Sequence, residues 1–387
     1  MHLGIDALVS NKFMPLHGTR IGLLTNISSC NARLEPTVTL FSQQKKCRLK
    51  ALFAPEHGLF GALQDQVRAR DYYDATKKVR VFSLYNKKFL SDISILRKID
   101  VLVIDLQDIG TRYYTFLWSA LLLIQMVALF KKSVLILDRP NPLNGMTVQG
   151  PVLEPEFLSF VGLYLIPIRH GMTVAELCNL INKEMKIGAE MKVIKMRGWS
   201  RRHYFDDTGL YWTVPSPNMP SFDTALVYPG MCLLEGTNVS EGRGTTRPFE
   251  IFGAPWISPT DLVNVLSRIK IPGASFRPTY FIPTFGKYKS KACGGAQLYV
   301  TNRNSFNAVT TSLHIIRAIR NLYPKKFRWR KPPYEFEKTK MPFDILVGNS
   351  WIRKAIEKNK TISSMKKNWQ KDLMWFKKIR KKYLIYK

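Results

Sequence analysis

Residues 51–62 read ALFAPEHGLFGA and place Glu56 and His57 between Pro55 and Gly58, where a short apolar run ends. The run has the character of a buried strand, and the proline and glycine stop it, so both side chains belong at a strand tip. Strand tips are where open α/β sheets hold catalytic groups. Glu56 fits a catalytic carboxyl group or a solvated loop carboxylate equally well, and His57 fits a ligand contact or a backbone bond inside the turn. DLQDIGTRYY brings Asp105 and Asp108 to a second strand end, with Arg112, Tyr113 and Tyr114 behind them. An ion pair with Arg112 is the commoner explanation for one of the two aspartates. SEGRGTTRPFE sets Glu241, Arg243 and Arg247 on a glycine-flanked loop, where side chains or backbone N–H groups can hold an anion. His170 in IRHGMT stands just before Thr173 and Glu176, whose spacing is that of a helix capping box. DRPNP, residues 138–142, fits a rigid turn around Asp138 and Asn141.

The elements that carry these groups follow from alternation. RIGLLTN, LKALFAPEHG, KVRVFSLYN, DVLVIDLQD and SVLILDRPNP are apolar, β-branched-rich runs ending in polar or turn residues, and helix-length segments at 37–44 and 115–131 lie between several of them. That order predicts an α/β fold whose parallel sheet is covered by helices. Asn26, Glu56, Asp105, Asp108 and Asp138 then gather along one sheet edge. No GxGxxG or GxxxxGK[ST] string follows a strand, so the usual nucleotide fingerprints are missing. A second section begins near SPNMP at 216–220. It mixes a Gly-, Thr-, Glu- and Arg-dense loop with the strand-like GGAQLYVT and the helix-like SLHIIRAIRNLYP, which predicts a smaller α/β or α+β domain. The expected division is 1–224 and 225–387.

The chain has 387 residues, 45% of them hydrophobic, enough for two cores. Its charge is unusual: 59 Lys and Arg against 28 Asp and Glu give +31, much of it between 325 and 387. Such a surface suits polyanions. The basic tail nevertheless reads first as a solvated helix face, because Trp369, Leu373, Phe376, Ile379 and Leu384 recur among the lysines at roughly helical spacing. Five scattered cysteines without a CxxC argue for thiols in a reducing compartment and against a disulfide frame or zinc site. The first residues lack a signal-peptide profile, so the expected location is cytoplasmic, or periplasmic or secreted if the true start lies upstream. The apolar stretch 116–130 is too short for a membrane span and is expected to be a buried helix.

PEHG, DLQDIGTRYYT, LDRPNPLNG, FVGLYLIPIRHGMTVAEL, SPNMPS, YPGMCLLEGTNVSEGRGTTRPFEIFGAPW and FDILVG occur in an order that resembles the exo-β-N-acetylmuramidase family. The resemblance runs from GIDALV to the closing YLIY. It implies a Rossmann-like domain plus a smaller C-terminal domain with the site in the cleft between them. The activity it implies is a glycosidase that removes N-acetylmuramic acid from the non-reducing end of peptidoglycan fragments, with the catalytic glutamate at Glu56. Glycoside cleavage needs a carboxylic acid to protonate the leaving oxygen and a second group across the sugar. Glu56, against Phe53 and Leu59, suits the acid. Asp105, Asp108 and Glu241 are candidates for the second group, and the substrate's own 2-acetamido oxygen is an alternative. The lactyl carboxylate of muramic acid asks for a cation, for which Arg112, Arg243 and Arg247 are the candidates. Tyr114, Asn141, His57, His170, Asn218 and Asn238 complete the expected binding set. No cofactor, metal or specific nucleic acid is expected. Where the family pattern has a glycine-bearing TNQTG turn, this chain has Thr25-Asn26-Ile27-Ser28-Ser29. The rival reading is a non-catalytic two-domain clamp for an anionic ligand, wall polymer or nucleic acid, which explains the charge but not the acidic residues in the cleft strings.

Overall fold

The structure, a computed structural model, describes residues 1–65, 67–85 and 89–387. The first six strands are β1 (Arg20–Thr25), β2 (Arg48–Ala54), β3 (Tyr72–Asp74), β4 (Val79–Ser83), β5 (Val101–Asp105) and β6 (Ser133–Leu137). A short ribbon of β7 (Gln149–Val152) and β8 (Pro167–Arg169) follows, then β9 (Met191–Ile194). The main sheet runs in the order β3-β4-β2-β1-β5-β6-β9, parallel throughout except for β3 against β4. This is the helix-covered parallel sheet of an α/β fold that the alternating runs predict, and the Rossmann-like layer that the family resemblance implies.

Continuous apolar runs form these strands because both sheet faces are covered. Side chains alternate between two cores. Leu24, Phe53 and Phe82 pack on one side with the helix Phe116–Leu129. Ile21, Leu23, Leu52 and Val103 pack on the other with the helices Gly4–Ser10 and Thr37–Ser42. The stretch expected as a buried helix is the helix Phe116–Leu129, and no helix among the described residues is long and apolar enough to cross a membrane. All five cysteines are buried free thiols.

The carboxyl ends of β1, β2, β4 and β5 open on the same side, since these strands are parallel neighbours in register. Chain order reverses beside β1, which leads to β2 on one side and pairs with β5 on the other. The substituted TNISS turn after β1 is closed by its own side chains: Ser28 Oγ donates to Asn26 Oδ1 at 2.7 Å and Asn26 Nδ2 to the Pro215 carbonyl at 3.1 Å.

The smaller section is built on an antiparallel sheet of β10 (Ile251–Ala254), β11 (Ala274–Phe281) and β12 (Cys293–Val300), ordered β10-β12-β11 and backed by the helix Pro259–Ile269, against which the helix Ala308–Leu322 packs. The last long helix, Ile362–Arg380, buries Met365, Trp369, Leu373 and Phe376 and leaves its lysines in water. Ile379 is half-buried, and Leu384 lies beyond the helix end. The Arg380 guanidinium donates to the carbonyls of Gly145, Gly171 and Met146, which ties the helix to the larger section.

Candidate active site

The PEHG string turns as soon as β2 ends. The Gly58 amide donates to the Pro55 carbonyl at 3.1 Å, and the third turn residue, His57, takes φ +71°. A positive φ at this turn position is glycine's usual place, so a histidine held there is a strained choice of the kind that collects at functional sites. The turn lifts Glu56 clear of the sheet edge. Thr115, at the start of the helix Phe116–Leu129, donates its hydroxyl to Glu56 Oε2 at 2.7 Å. His57 is fixed by Nδ1, which donates to the Leu63 carbonyl at 2.7 Å, and by edge contact with the Phe116 ring.

Glu56 and His57 line a pocket with about 480 Å³ of empty space, its mouth included. One wall comes from Tyr113, Tyr114 and Thr115 after β5, and a second from Ser216, Asn218 and Met219. The smaller section supplies Tyr228, Glu235, Arg243 and Phe249, and its 334–335 loop closes the ring with Tyr334 and Glu335. The pocket thus sits where the two sections meet. A larger open groove of about 1320 Å³ continues from it along Asp65, Glu235 and Arg243 to Asn238, Glu241, Lys287, Tyr288 and Arg330.

Charge on the pocket wall is organised around Arg243. It pairs with Asp65, with Glu235 at 2.7 Å and more distantly with Glu241 at 3.7 Å, and stacks over the Phe249 ring. Burial opposes its charge, but these three carboxylates hold the guanidinium ionised. Glu235 is pushed up from the usual carboxylate range by burial, against the pull of Arg243. Glu241 is held down: burial works the other way, but Lys287 at 2.9 Å and Arg243 outweigh it. Glu335 is pushed well above the usual carboxylate range, first by burial and then by the charge of Glu56. No group of three metal-ligating side chains occurs among the described residues.

Of the residues expected from sequence, the structure brings Glu56, His57, Tyr114, Asn218 and Arg243 into the pocket, and Asn238, Glu241 and Arg243 into the adjoining groove. The others lie elsewhere. Asp105 is fully buried, gripped by Arg139 Nε at 2.5 Å and Nη2 at 2.8 Å and by the Thr37 hydroxyl, so it is a structural ion pair with a partner other than Arg112. Arg112 is fully buried and spends its guanidinium on the carbonyls of Pro151, Ile166 and Leu346. It cannot reach a substrate carboxylate without breaking those bonds. Asp108 accepts from the Gly110 amide and lies 3.6 Å from His170, which has no solvent exposure; neither lines the pocket. Asn141 bridges the Met172 carbonyl and the Leu143 amide, and Arg247 points outward to Glu250.

Sequence reading missed Thr115, Asp65, Glu235, Tyr334 and Glu335. Thr115 and Glu235 lie within the strings quoted above, but their neighbours drew attention first. Tyr334 and Glu335 follow a lysine-rich tract and carry no local signal.

Known proteins match along the same span. The family model described as exo-beta-N-acetylmuramidase NamZ, N-terminal, covers residues 21–223, and its C-terminal counterpart covers 226–386. The chain is 44% identical over 383 residues to the peptidoglycan beta-N-acetylmuramidase NamZ of Bacillus subtilis (strain 168), covering 99% of this chain and 91% of that one. Among solved structures it is similar to two DUF1343 family proteins of Bacteroides fragilis NCTC 9343. One is 30% identical with a TM-score of 0.90 and the other 28% identical with 0.77; each match covers 100% of this chain and 99% of the other.

Proposed function

The chain belongs to the exo-β-N-acetylmuramidase family, and from that premise we propose that it releases terminal N-acetylmuramic acid from the non-reducing end of peptidoglycan fragments, with Glu56 as a catalytic carboxyl group in the pocket between the two sections. The observation that carries the site assignment is the convergence at that pocket. A strand-tip glutamate, oriented by Thr115, shares a small recess with an ionised arginine. Terminal sugar in the recess and the remainder of the saccharide along the groove give an exo mode of attack. A clamp for phosphate polyanions finds no support here, since Glu56, Asp65, Glu235 and Glu335 all line the wall.

Arg243 is the lactyl-reading cation in this assignment, because it lines the pocket while Arg112 is locked to backbone and Arg247 faces away; the lactyl carboxylate then displaces one of its two close partners, Asp65 or Glu235. A charge-assisted hydrogen bond is worth roughly 1.5–3 kcal/mol, or about 10–150-fold in rate ratio. Paired chromogenic substrates test the reading: the N-acetylmuraminide should be hydrolysed faster than the N-acetylglucosaminide by about that factor. Equal rates on the two sugars would remove Arg243 from that role.

The lysine-rich terminal helix has no part in this chemistry. Lys377 and Lys381 are exposed. Changing both to Gln should leave turnover of a small soluble muramide unchanged, while any attachment to larger anionic wall material weakens in a salt-dependent way. Loss of small-substrate turnover in a folded double variant would place that helix at the site.

A further inference from the structure

Glycoside cleavage needs two groups of opposite protonation state, and the sequence offers Asp105, Asp108 and Glu241 beside Glu56 for the second. The structure puts Asp105 in an ion pair with Arg139, Asp108 on the Gly110 amide outside the pocket lining and Glu241 in the groove against Lys287. Of the other carboxyl groups that line the pocket with Glu56, Asp65 and Glu235 are paired with Arg243, which leaves Glu335. It arrives from far along the chain, and its loop is held by two hydroxyl contacts. Tyr334 donates to Glu235 Oε2 at 2.8 Å, and Tyr85, just past β4, donates to Glu335 Oε2 at 2.9 Å. Glu335 and Phe336 both take positive φ, +45° and +67°. Two successive non-glycine residues in that region cost free energy, and such outliers persist where the surroundings fix a side chain for use.

We propose that Glu335 protonates the departing glycosidic oxygen and that Glu56 is the carboxylate facing the anomeric carbon, a division of labour that rests on the muramidase reading above. The groups facing Glu335 are Glu56, Tyr85, Glu235 and Asp65, with Arg243 the cation on the same wall. Burial and its neighbours' negative charge push the Glu335 carboxyl well above the usual carboxylate range, toward the neutral form an acid needs. With Tyr85 donating to Oε2, the proton sits on Oε1. In the bond-breaking step that proton passes to the glycosidic oxygen, which also takes the electron pair of the C1–O bond, and Glu335 is left ionised. Glu56 supports the positive charge that develops on C1. Water then adds to C1 and returns one proton to Glu335.

Leaving-group dependence tests this assignment. An acid matters when the departing oxygen is basic and hardly at all when it is an activated phenol. Glu335→Gln should lower kcat/KM on a muramic-acid-terminated disaccharide by about 10²–10⁴, the usual span of general acid catalysis, and by less than about tenfold on a dinitrophenyl muramide. Glu56→Gln should lower both. Tyr85→Phe removes a donor that favours the ionised form of Glu335, so the alkaline limb of the disaccharide kcat/KM profile should move to higher pH while the aryl substrate shows no such shift. Equal losses on both substrates in Glu335→Gln, no loss on either, or a selective disaccharide defect in Glu56→Gln instead would overturn the proposal. If Glu335→Gln does not fold, an unmoved limb in Tyr85→Phe overturns it alone. Wild-type protein inactive on both substrates would instead refute the muramidase reading.

Discussion

Glu56→Gln is expected to lose at least about 10²–10³-fold in kcat on every muramide, whatever its leaving group, which is the scale of removing a charge aimed at a developing transition-state charge. The amide keeps the shape of the side chain, and its carbonyl still accepts the Thr115 hydroxyl, so the fold should be retained within about 1 kcal/mol. Steady-state kinetics beside a thermal melt separate the two effects. A folded variant with activity within about tenfold of the parent would take Glu56 out of the reaction.

The second large effect concerns Asp105, which by position in the sequence is as good a catalytic candidate as Glu56. Asp105→Ala leaves the guanidinium of Arg139, itself 5% exposed, without its carboxylate, and leaves the Thr37 hydroxyl without its acceptor. Breaking a buried pair from one side costs about 3–5 kcal/mol, much of it the uncompensated charge. Denaturant unfolding should show a loss of that size, and activity per folded molecule at low temperature should stay within a few-fold of the parent. A stable but inactive Asp105→Ala would return Asp105 to the chemistry.

Asp105 and Glu56 show what a sequence can and cannot say. Both end a buried strand, and the alternation of such strands with helix-length segments carries the α/β architecture, since periodicity is a local property. Glu56 stood out because Pro55 and Gly58 announce a turn that must lift it from the sheet. Asp105 looked the same, but its partner lies on the next strand's loop at Arg139, and a long-range pairing leaves no local trace. Arg112 misled for a related reason. Its string shows a guanidinium, not the carbonyls it meets, one of which belongs to Leu346, 234 residues away. Glu335 was invisible because its role depends on a loop crossing to Tyr85 over 250 residues, and its lysine-rich setting reads as solvated surface. Local pattern thus finds the sheet and one edge of the pocket, while the wall contributed by the smaller section exists only once the chain has folded back.

In the proposed assignment that folded-back wall closes the recess that takes the terminal sugar, so the most direct test is the identity of the product. Wild-type protein is incubated with a disaccharide carrying β-linked N-acetylmuramic acid at its non-reducing end, and the mixture is resolved by mass spectrometry. The expected result is equimolar free N-acetylmuramic acid and the second sugar, with longer fragments losing the same single residue from that end. An intact disaccharide after prolonged incubation with folded protein, or internal cleavage of longer fragments without release of the terminal residue, would contradict the assignment.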